Sequence, residues 1–214
     1  MKESLIVSGG NVDKNNIAKL IEENSFTYII AVDKGVEILD ALGVIPDNII
    51  GDFDSVNIEI LKKYEDMNIA IHKLETEKDY TDTHMALKLA IELGSSEITI
   101  AGAIGSRIDH TLSNIHLLDE ANSKNVQCKI VDEKNEIMVI DKNIMIEKDE
   151  KYKYISLIPL TDEVEGVTLE GFKYGLENRT LKIGESIGIS NEQVSDIAQI
   201  KIEKGKLIVI KSKD

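Results

Sequence analysis

Two aspartates separated by one residue, Asp52 and Asp54, are the side chains in this chain best suited to chemistry. They lie in the segment GDFDS, residues 51–55, directly after the apolar run of residues 48–50. Carboxylates at the end of a short strand can converge on one hard cation, and oxygen ligands suit Mg²⁺ better than Zn²⁺. The spacing therefore predicts a magnesium site and a reaction on a phosphate compound.

Charged residues also crowd the start of a predicted helix. Lys78, Asp79 and Asp82 surround Thr81, which is a residue type that commonly caps helices. Acids are stabilised at the positive end of a helix with or without a metal, so each acid alone is weak evidence for a metal site. As part of the group, Asp82 is the candidate for a third metal ligand. His84, further along the same helix, is interpreted as structural.

Arg107 is the most informative base in the chain. It follows a Gly-x-x-Gly-Ser loop, residues 102–106, at the end of a predicted strand. Backbone N–H groups and a guanidinium can bind phosphate oxygens together at such a position. A surface salt bridge to Asp109 is the alternative, and His110 has either a ligand-binding role or a packing role.

Two earlier strand ends carry residue types found in ligand-binding loops. Gly9 and Gly10 either turn the chain or allow a phosphate or a nucleobase to approach the backbone. Asp33 either caps the helix that follows it or faces a ligand. In open α/β sheets ligands bind beyond the carboxyl ends of the strands. These loops are therefore expected to share one rim with those of Asp52 and Arg107.

The elements that position these residues alternate along the first 130 residues. Residues 28–32 form a continuous apolar strand, for example, and residues 81–93 have the apolar spacing of a helix. Strands buried on both faces that alternate with helices predict an α/β domain with a mostly parallel sheet. This α/β domain, which carries the predicted magnesium site, is expected to span residues 1–132.

After Asp132 the helical period is lost and short strands follow one another, which predicts an all-β, sandwich-like domain over residues 133–214. At the end of the chain, residues 200–202 and 207–210 flank a turn with Gly205 and predict a β-hairpin. Other strands are predicted at residues 136–140, 153–157, 166–169, 180–183 and 185–189.

The composition is that of a globular protein with an acidic surface. Among 214 residues, 39 Asp and Glu oppose 25 Lys and Arg, and the formal net charge of -14 disfavours nonspecific binding to nucleic acid. No stretch approaches the apolar length of a membrane span, and no signal-peptide pattern follows Met1. Cys128 is the single cysteine and excludes an internal disulfide, so the cytoplasm is the expected compartment.

Four motifs, in order along nearly the whole chain, resemble those of the thiamine pyrophosphokinases. Residues 51–55 match the family's GDFDS motif, and residues 78–82 (KDYTD) resemble its (K/Q)DxTD motif. Residues 105–114 (GSRIDHTLSN) resemble its GxRxDHxxxN motif, and residues 190–192 resemble its SNE motif. The chain departs from the family at residues 33–35, which read Asp-Lys-Gly instead of Asp-Gly-Gly, and it lacks the aromatic residue that often follows SNE.

The resemblance implies a homodimer that uses ATP and Mg²⁺ to convert thiamine to thiamine diphosphate, leaving AMP. By motif position, Asp52, Asp54 and Asp82 would hold Mg²⁺. Contacts to ATP and its phosphates are expected from Gly9, Gly10, Asp33, Lys34, Lys78, Thr81, Arg107 and His110.

The same correspondence makes Asp79, Arg107 and Asp109 the catalytic candidates, which would contact phosphates, metal-bound water or the thiamine hydroxyl. Asp79 is the candidate for orienting or deprotonating the hydroxyl, and Arg107 for stabilising the transferred group. Ser190 and Asn191 would help to line the thiamine pocket against the catalytic domain of the other subunit.

Other functions stay open from the residues alone. The Asp-x-Asp pair also fits a nucleotide-sugar glycosyltransferase, although that class does not account for the other three motifs. An aspartyl-nucleophile phosphatase would carry the pair after its first strand, where this chain has Ser8, Gly9 and Gly10. A non-catalytic module that binds thiamine or a nucleotide would leave the same sequence.

Overall fold

A computed structural model describes residues 1–10, 12–75 and 79–214. The chain divides into two compact units, Met1–Glu133 and Lys134–Asp214. Lys78, which the motifs assign to phosphate binding, lies outside the described residues. In the described part of the chain, no helix combines the length and the apolar character needed to cross a membrane.

The first unit alternates strands with helices. Its strands are β1 (Glu3–Val7), β2 (Tyr28–Val32), β3 (Asn48–Gly51), β4 (Ala70–Lys73), β5 (Glu97–Ala101) and β6 (Gln127–Val131). Its helices are α1 (Lys14–Glu23), α2 (Gly35–Ala41), α3 (Ile58–Asp66), α4 (Asp82–Glu92) and α5 (Ile108–Ser123).

The strands of this unit form a parallel sheet in the order β4-β3-β2-β1-β5-β6. The chain first extends the sheet from β1 to β4 in one direction and then returns to place β5 on the other side of β1. The order therefore reverses between β1 and β5. The crevice beyond the carboxyl ends of these two strands is where open α/β sheets bind their ligands.

Apolar burial explains why these segments form a central sheet. Leu5, Ile6 and Val7 of β1 have no solvent-exposed surface, and Ile30 and Ala31 of β2 are equally buried. Consecutive buried residues need a covering layer on each face of the strand, which the helices of a parallel α/β unit supply. The predicted α/β class is therefore confirmed.

The second unit consists of two antiparallel sheets. Its strands are β7 (Asn135–Ile140), β8 (Ile144–Glu147), β9 (Tyr154–Pro159), β10 (Glu163–Glu170), β11 (Leu176–Lys182), β12 (Ile197–Lys201) and β13 (Leu207–Ser212). In one sheet β13 lies between β7 and β9, and in the other the order is β11-β10-β12-β8. Leu157 and Val209 of the first sheet share one apolar core with Val164 and Ile200 of the second, as in a β-sandwich.

The predicted terminal hairpin is wrong, because β12 and β13 belong to different sheets. β12 pairs with β10 and β8, whereas β13 pairs with β7 and β9. The connecting turn bonds to β10 instead: the Glu165 backbone N–H donates to the Lys204 carbonyl, and the Glu203 N–H donates to the Glu165 carbonyl, both at 2.9 Å. Alternating apolar residues reveal the buried face of a strand but not its pairing partner.

Two other strand predictions also differ from the structure. Residues 185–189 are predicted as a strand but form none; Gly184, just before this segment, and Gly188 within it have φ of +91° and +95°. Such left-handed backbone is readily adopted by glycine and breaks a strand ladder. The sequence reasoning also missed β8, a four-residue strand paired on one side with β12.

Candidate active site

The loops after β1 and β5 pack closely at the point where the strand order reverses. The Gly10 backbone N–H donates to the Gly102 carbonyl at 3.0 Å. A Cβ atom added to Gly10 would lie 2.3 Å from that same oxygen, and one on Gly9 would lie 2.9 Å from Cβ of Lys34. Both glycines are thus needed for the close approach of three loops, whichever ligand the loops bind.

Asp33 and Lys34 follow β2 on the same rim. Asp33 has φ of +47°, and its backbone N–H donates to the Ile50 carbonyl at 3.1 Å. Lys34 occupies the N-cap position of α2 without a side-chain capping bond. A Cβ on Gly51 would lie 2.1 Å from Oδ1 of Asp33. The Asp33 carboxylate therefore lies against the start of the GDFDS segment.

Asp52 and Asp54 are held by a local turn after β3. The Asp54 backbone N–H donates to Oδ1 of Asp52 at 3.1 Å, and Phe53 between them has φ of +65°. Asp52 is half-buried and Asp54 is exposed, while Phe53 packs against the core of the first unit. The turn fixes one oxygen of Asp52 and presents the Asp54 carboxylate to solvent.

The start of α4 is tied to the loop after β1. Thr81 is the N-cap, and its Oγ1 accepts a hydrogen bond from the His84 backbone N–H at 3.2 Å. Thr83 and Ser8 share a hydroxyl hydrogen bond of 3.0 Å. Asp82 lies in the first turn of the helix, as predicted, and Asp79 is exposed just before it. The N-capping alternative for Thr81 is confirmed, and its contact with ATP stays a prediction.

Arg107 and Asp109 form the salt bridge that the sequence offered as an alternative. Nη2 of Arg107 lies 2.6 Å from Oδ2 of Asp109, and Nε lies 3.3 Å from Oδ1. These hydrogen bonds lower the pKa of Asp109 to about 2, and the same contact raises the pKa of Arg107. The two side chains are 69% and 65% exposed, so water competes with the pair and a phosphate ligand can replace Asp109.

Other residues of the same motif hold its loop in place. Nδ2 of the buried Asn114 donates to the Ala103 carbonyl at 2.8 Å. Oγ1 of Thr111 accepts from the Gly105 backbone N–H at 3.2 Å. His110 is exposed on the first turn of α5, where it is accessible to a ligand. The motif thus combines side chains that hold the loop with exposed side chains, Arg107 among them.

No three His, Cys, Asp or Glu side chains form a ready-made metal cluster within the described ranges. Asp52, Asp54 and Asp82 are accordingly not gathered into a three-ligand cage. They still fit Mg²⁺, because this ion commonly binds through one or two carboxylates together with substrate phosphates and water. The carboxylate of Asp54 is exposed at a strand end and suits this mode. The metal assignment stays a prediction.

In the second unit, Ser190 and Asn191 have different roles. Asn191 is only 3% exposed, and its side chain makes three hydrogen bonds. Its Oδ1 accepts from the backbone N–H groups of Tyr174 and Glu192 at 3.0 and 2.9 Å, and its Nδ2 donates to the Tyr174 carbonyl at 2.8 Å. Ser190 has φ of +54°, and its backbone N–H donates to the hydroxyl of Ser156 at 2.9 Å. Asn191 therefore holds Tyr174, whose side chain is 60% exposed.

The sequence reasoning missed Tyr174 as a candidate ligand-binding residue. Aromatic residues make up only 4% of the chain, and this one lies between Gly171 and Gly175. An aromatic residue in a glycine-flanked segment of an aromatic-poor chain was the available signal.

The fold and the rim together define the class of protein. The carboxyl edge of a parallel α/β sheet carries glycine loops and an exposed arginine where the strand order reverses, and it carries carboxylates at the ends of the neighbouring strands β2 and β3. This arrangement is that of an α/β enzyme that acts on a phosphate compound.

Comparison with known proteins narrows this class. Residues 18–130 match the family model "Thiamin pyrophosphokinase, catalytic domain", and residues 141–207 match "Thiamin pyrophosphokinase, vitamin B1 binding domain". Thiamine pyrophosphokinase of Bacillus subtilis is 40% identical over 217 residues, covering 100% of both chains. Thiamin pyrophosphokinase 1 of Caenorhabditis elegans is 30% identical over 79% of this chain and 72% of its own length.

Solved structures agree with these relationships. The crystal structure of the Bacillus subtilis thiamine pyrophosphokinase superposes with a TM-score of 0.90 at 34% identity, covering 100% of both chains. That of the Geobacillus thermodenitrificans enzyme gives 0.87 at 30% identity, covering 99% of this chain and 98% of its own. The chain belongs to the thiamine pyrophosphokinase family. The nucleotide-sugar glycosyltransferase and non-catalytic alternatives gain no support from these similarities.

Proposed function

We propose that this chain transfers pyrophosphate from ATP to the hydroxyl of thiamine, giving thiamine diphosphate and AMP. The observation that carries the proposal is the match of both units to the two domains of one kinase family. It is supported by the rim of the first unit, where Asp33 lies against Gly51 and the α4 start is bonded to Ser8. These contacts bring loops from β1, β2 and β3 and the start of α4 to one edge.

The bonds that change follow from the products. The thiamine hydroxyl oxygen forms a bond to the β-phosphorus of ATP, and the bond from that phosphorus to the oxygen bridging the α and β positions breaks. The bridging oxygen leaves with AMP. The hydroxyl loses a proton, and Asp79, an exposed carboxylate before the Thr81 cap, is the candidate to orient or accept it.

Mg²⁺ bound with the nucleotide would neutralise phosphate charge. Asp52 and Asp54 are the residues proposed to hold it, with Asp82 from the first turn of α4 as the third candidate. All three supply only carboxylate oxygens, which is the donor type that this ion prefers. The three aspartates would contribute by fixing the phosphates at the strand ends, because positioning accounts for much of the catalysis in phosphoryl transfer.

Arg107 is proposed to bind the transferred group. Its two contacts with Asp109 use the fork geometry that also fits phosphate oxygens, so exchange of partner needs no change in the type of contact. In a chain with a formal net charge of -14, an anionic nucleotide needs such local cations. Lys34, exposed beside Gly9, is the proposed second cation, and Asp109 is then released to contact metal-bound water or the hydroxyl.

Gly9, Gly10, Asp33, Thr81 and His110 are proposed to complete the ATP site. The glycines would let phosphate or base approach the backbone, and the other three lie on loops of the same rim. Lys78 belongs to the same proposal by its motif position alone.

The thiamine side of the site is proposed to lie on the second unit. Ser190 would contact thiamine directly. Asn191, whose side chain is bonded to the Tyr174 backbone, would act by holding the exposed Tyr174 ring in place. A rigid aromatic ring suits an aromatic and cationic ligand such as thiamine, through stacking and cation–π attraction.

One incubation separates the possible functions. The protein is mixed with ATP, Mg²⁺ and thiamine, and AMP and thiamine diphosphate are measured by chromatography. Equimolar formation of the two products supports the kinase. Thiamine binding without AMP would instead establish a binding module, and hydrolysis of a UDP-sugar added in a parallel incubation would support a transferase.

We further propose a cytoplasmic homodimer. The exposed apolar side chains of the second unit, such as Met145 and Ile197 at 74% and 58% exposure, are compatible with a subunit contact. Sedimentation equilibrium tests the dimer, and a monomer at micromolar concentration with full activity would refute it.

A further inference from the structure

A chain of side-chain contacts joins the Asp79 segment to helix α5. The ring of Tyr80 meets the ring of His84 edge-on, with centroids 4.7 Å apart and an interplanar angle of 77°. Nζ of Lys88 lies 3.6 Å from the Tyr80 ring centroid. Nε2 of His84 lies 2.6 Å from Oε2 of Glu120 on α5. Tyr80 is thereby held by two residues of α4, one of which is held in turn by another helix.

Within this series of contacts, the His84 and Glu120 side chains are better shielded from water than Tyr80. The His84 and Glu120 side chains are 17% and 29% exposed, whereas Tyr80 is 45% exposed. Glu120 also lies 3.7 Å from Nζ of Lys124. A partly buried hydrogen bond is less weakened by water than an exposed one, so His84 is a firm support for the tyrosine ring.

The position of Tyr80 in the sequence gives these contacts their significance. Tyr80 lies between Asp79, the proposed base, and Thr81, the cap of α4. The hydrogen bond between the Thr81 side chain and α4 restrains only the residue after Tyr80. The contacts of the Tyr80 ring restrain the backbone before Thr81, which carries Asp79.

We propose that Tyr80, His84, Lys88 and Glu120 are positioning residues that fix the Asp79 carboxylate for the transfer step. The inference deepens the proposed function and rests on it for the catalytic role of Asp79. The four side chains do not themselves contact the reacting atoms. Their effect is to limit the movement of a catalytic carboxylate, and a displacement of about 1 Å can lower a rate by roughly 100-fold.

The kinetic test compares disruptive with conservative variants in the full-length protein. Tyr80→Ala and His84→Ala are each expected to lower kcat about 10-fold or more, with KM for ATP and thiamine within roughly twofold of wild type. Tyr80→Phe keeps the ring and His84→Gln keeps a donor toward Glu120, so both should retain most of kcat. His116→Ala, an exposed histidine on α5, is the matched control and should leave the kinetics unchanged.

A double variant tests whether the residues act as one unit. If His84 works only through Tyr80, the Tyr80→Ala/His84→Ala variant should lose no more of kcat than the worse single variant. Equal loss of kcat in Tyr80→Phe and Tyr80→Ala, or a loss confined to thermal stability, would overturn the proposal.

A second measurement does not depend on turnover. Hydrogen exchange of the amides of residues 79–83 should accelerate several-fold in Tyr80→Ala and His84→Ala, and stay at the wild-type rate in Tyr80→Phe. Unchanged exchange in both alanine variants would refute the positioning role, even in an active enzyme. If the wild-type protein forms no thiamine diphosphate, the proposed function is refuted. If the alanine variants still show the faster exchange in that case, the structural restraint on residues 79–83 is retained.

Discussion

Replacement of Asn191 by alanine tests the proposed division of labour in the second unit. The change removes three hydrogen bonds at once: two accepted by Oδ1, from Tyr174 and Glu192, and one donated by Nδ2 to the Tyr174 carbonyl. Asn191 is 3% exposed, so water cannot readily replace the lost partners. At about 1 kcal/mol for each net hydrogen bond, Asn191→Ala should lower the free energy of unfolding by about 2 to 4 kcal/mol.

The same change should weaken thiamine binding. Tyr174 loses both backbone contacts with the Asn191 side chain, and its exposed ring is then less firmly positioned. If ring placement contributes about 1 to 2 kcal/mol to binding, KM for thiamine should rise roughly 5- to 30-fold while KM for ATP stays constant. Tyr174→Ala should reproduce the rise in KM with little loss of stability, because its side chain is mostly exposed.

Two measurements on matched variants decide the outcome. Urea unfolding gives the stability change, and initial rates at varied thiamine give KM. Asn24→Ala, which removes one exposed bond to the Leu20 carbonyl, should cost less than about 1 kcal/mol and leave KM unchanged. A destabilised Asn191→Ala variant with wild-type KM for thiamine would refute the link between Asn191, Tyr174 and the ligand.

Three further predictions concern the rim of the first unit. Asp54→Asn should lower kcat by roughly 100-fold or more without lowering the melting temperature, with the exposed Asp66→Asn as control; normal Mg²⁺-dependent turnover would remove the metal assignment. Arg107→Ala should lower kcat by a similar factor. If it changed only the thermal stability, the role of Arg107 would be limited to its salt bridge with Asp109. By NMR, Asp109 should titrate at about 2 in wild type and near its ordinary 3.8 in Arg107→Ala. Its pKa is lowered in the folded chain, so the ion pair favours folding above about pH 4, and this is lost as pH falls through 2.

Much of the first unit was predictable because its elements are local and strongly apolar. The strand at residues 28–32 has the predicted bounds, since it is a short apolar run with polar or helical segments on both sides. The cap of α4 was also correctly identified, because Thr81 has a residue type that caps helices through its own side chain. Local signals of this kind need no knowledge of the rest of the fold.

Pairing across the sandwich was not predictable in the same way. β12 and β13 have the alternation and glycine turn of a hairpin, yet each already has two other partners in its own sheet. The hydrogen bonds between Asn191 and Tyr174 were hidden for the same reason, because a sequence motif does not show which groups a side chain will contact. Such nonlocal contacts become visible only once the fold is known.

The contacts of the acidic residues explain how a chain of net charge -14 can present a site for an anion. Asp52 accepts from its own turn, and Asp109 is paired with Arg107, so part of the negative charge on the rim is already compensated. Three carboxylates held closely together would repel one another, whereas a turn and a helix start place Asp54 and Asp82 on separate elements. Pyrophosphate transfer therefore requires from this chain a few positioned charges rather than a closed metal cage.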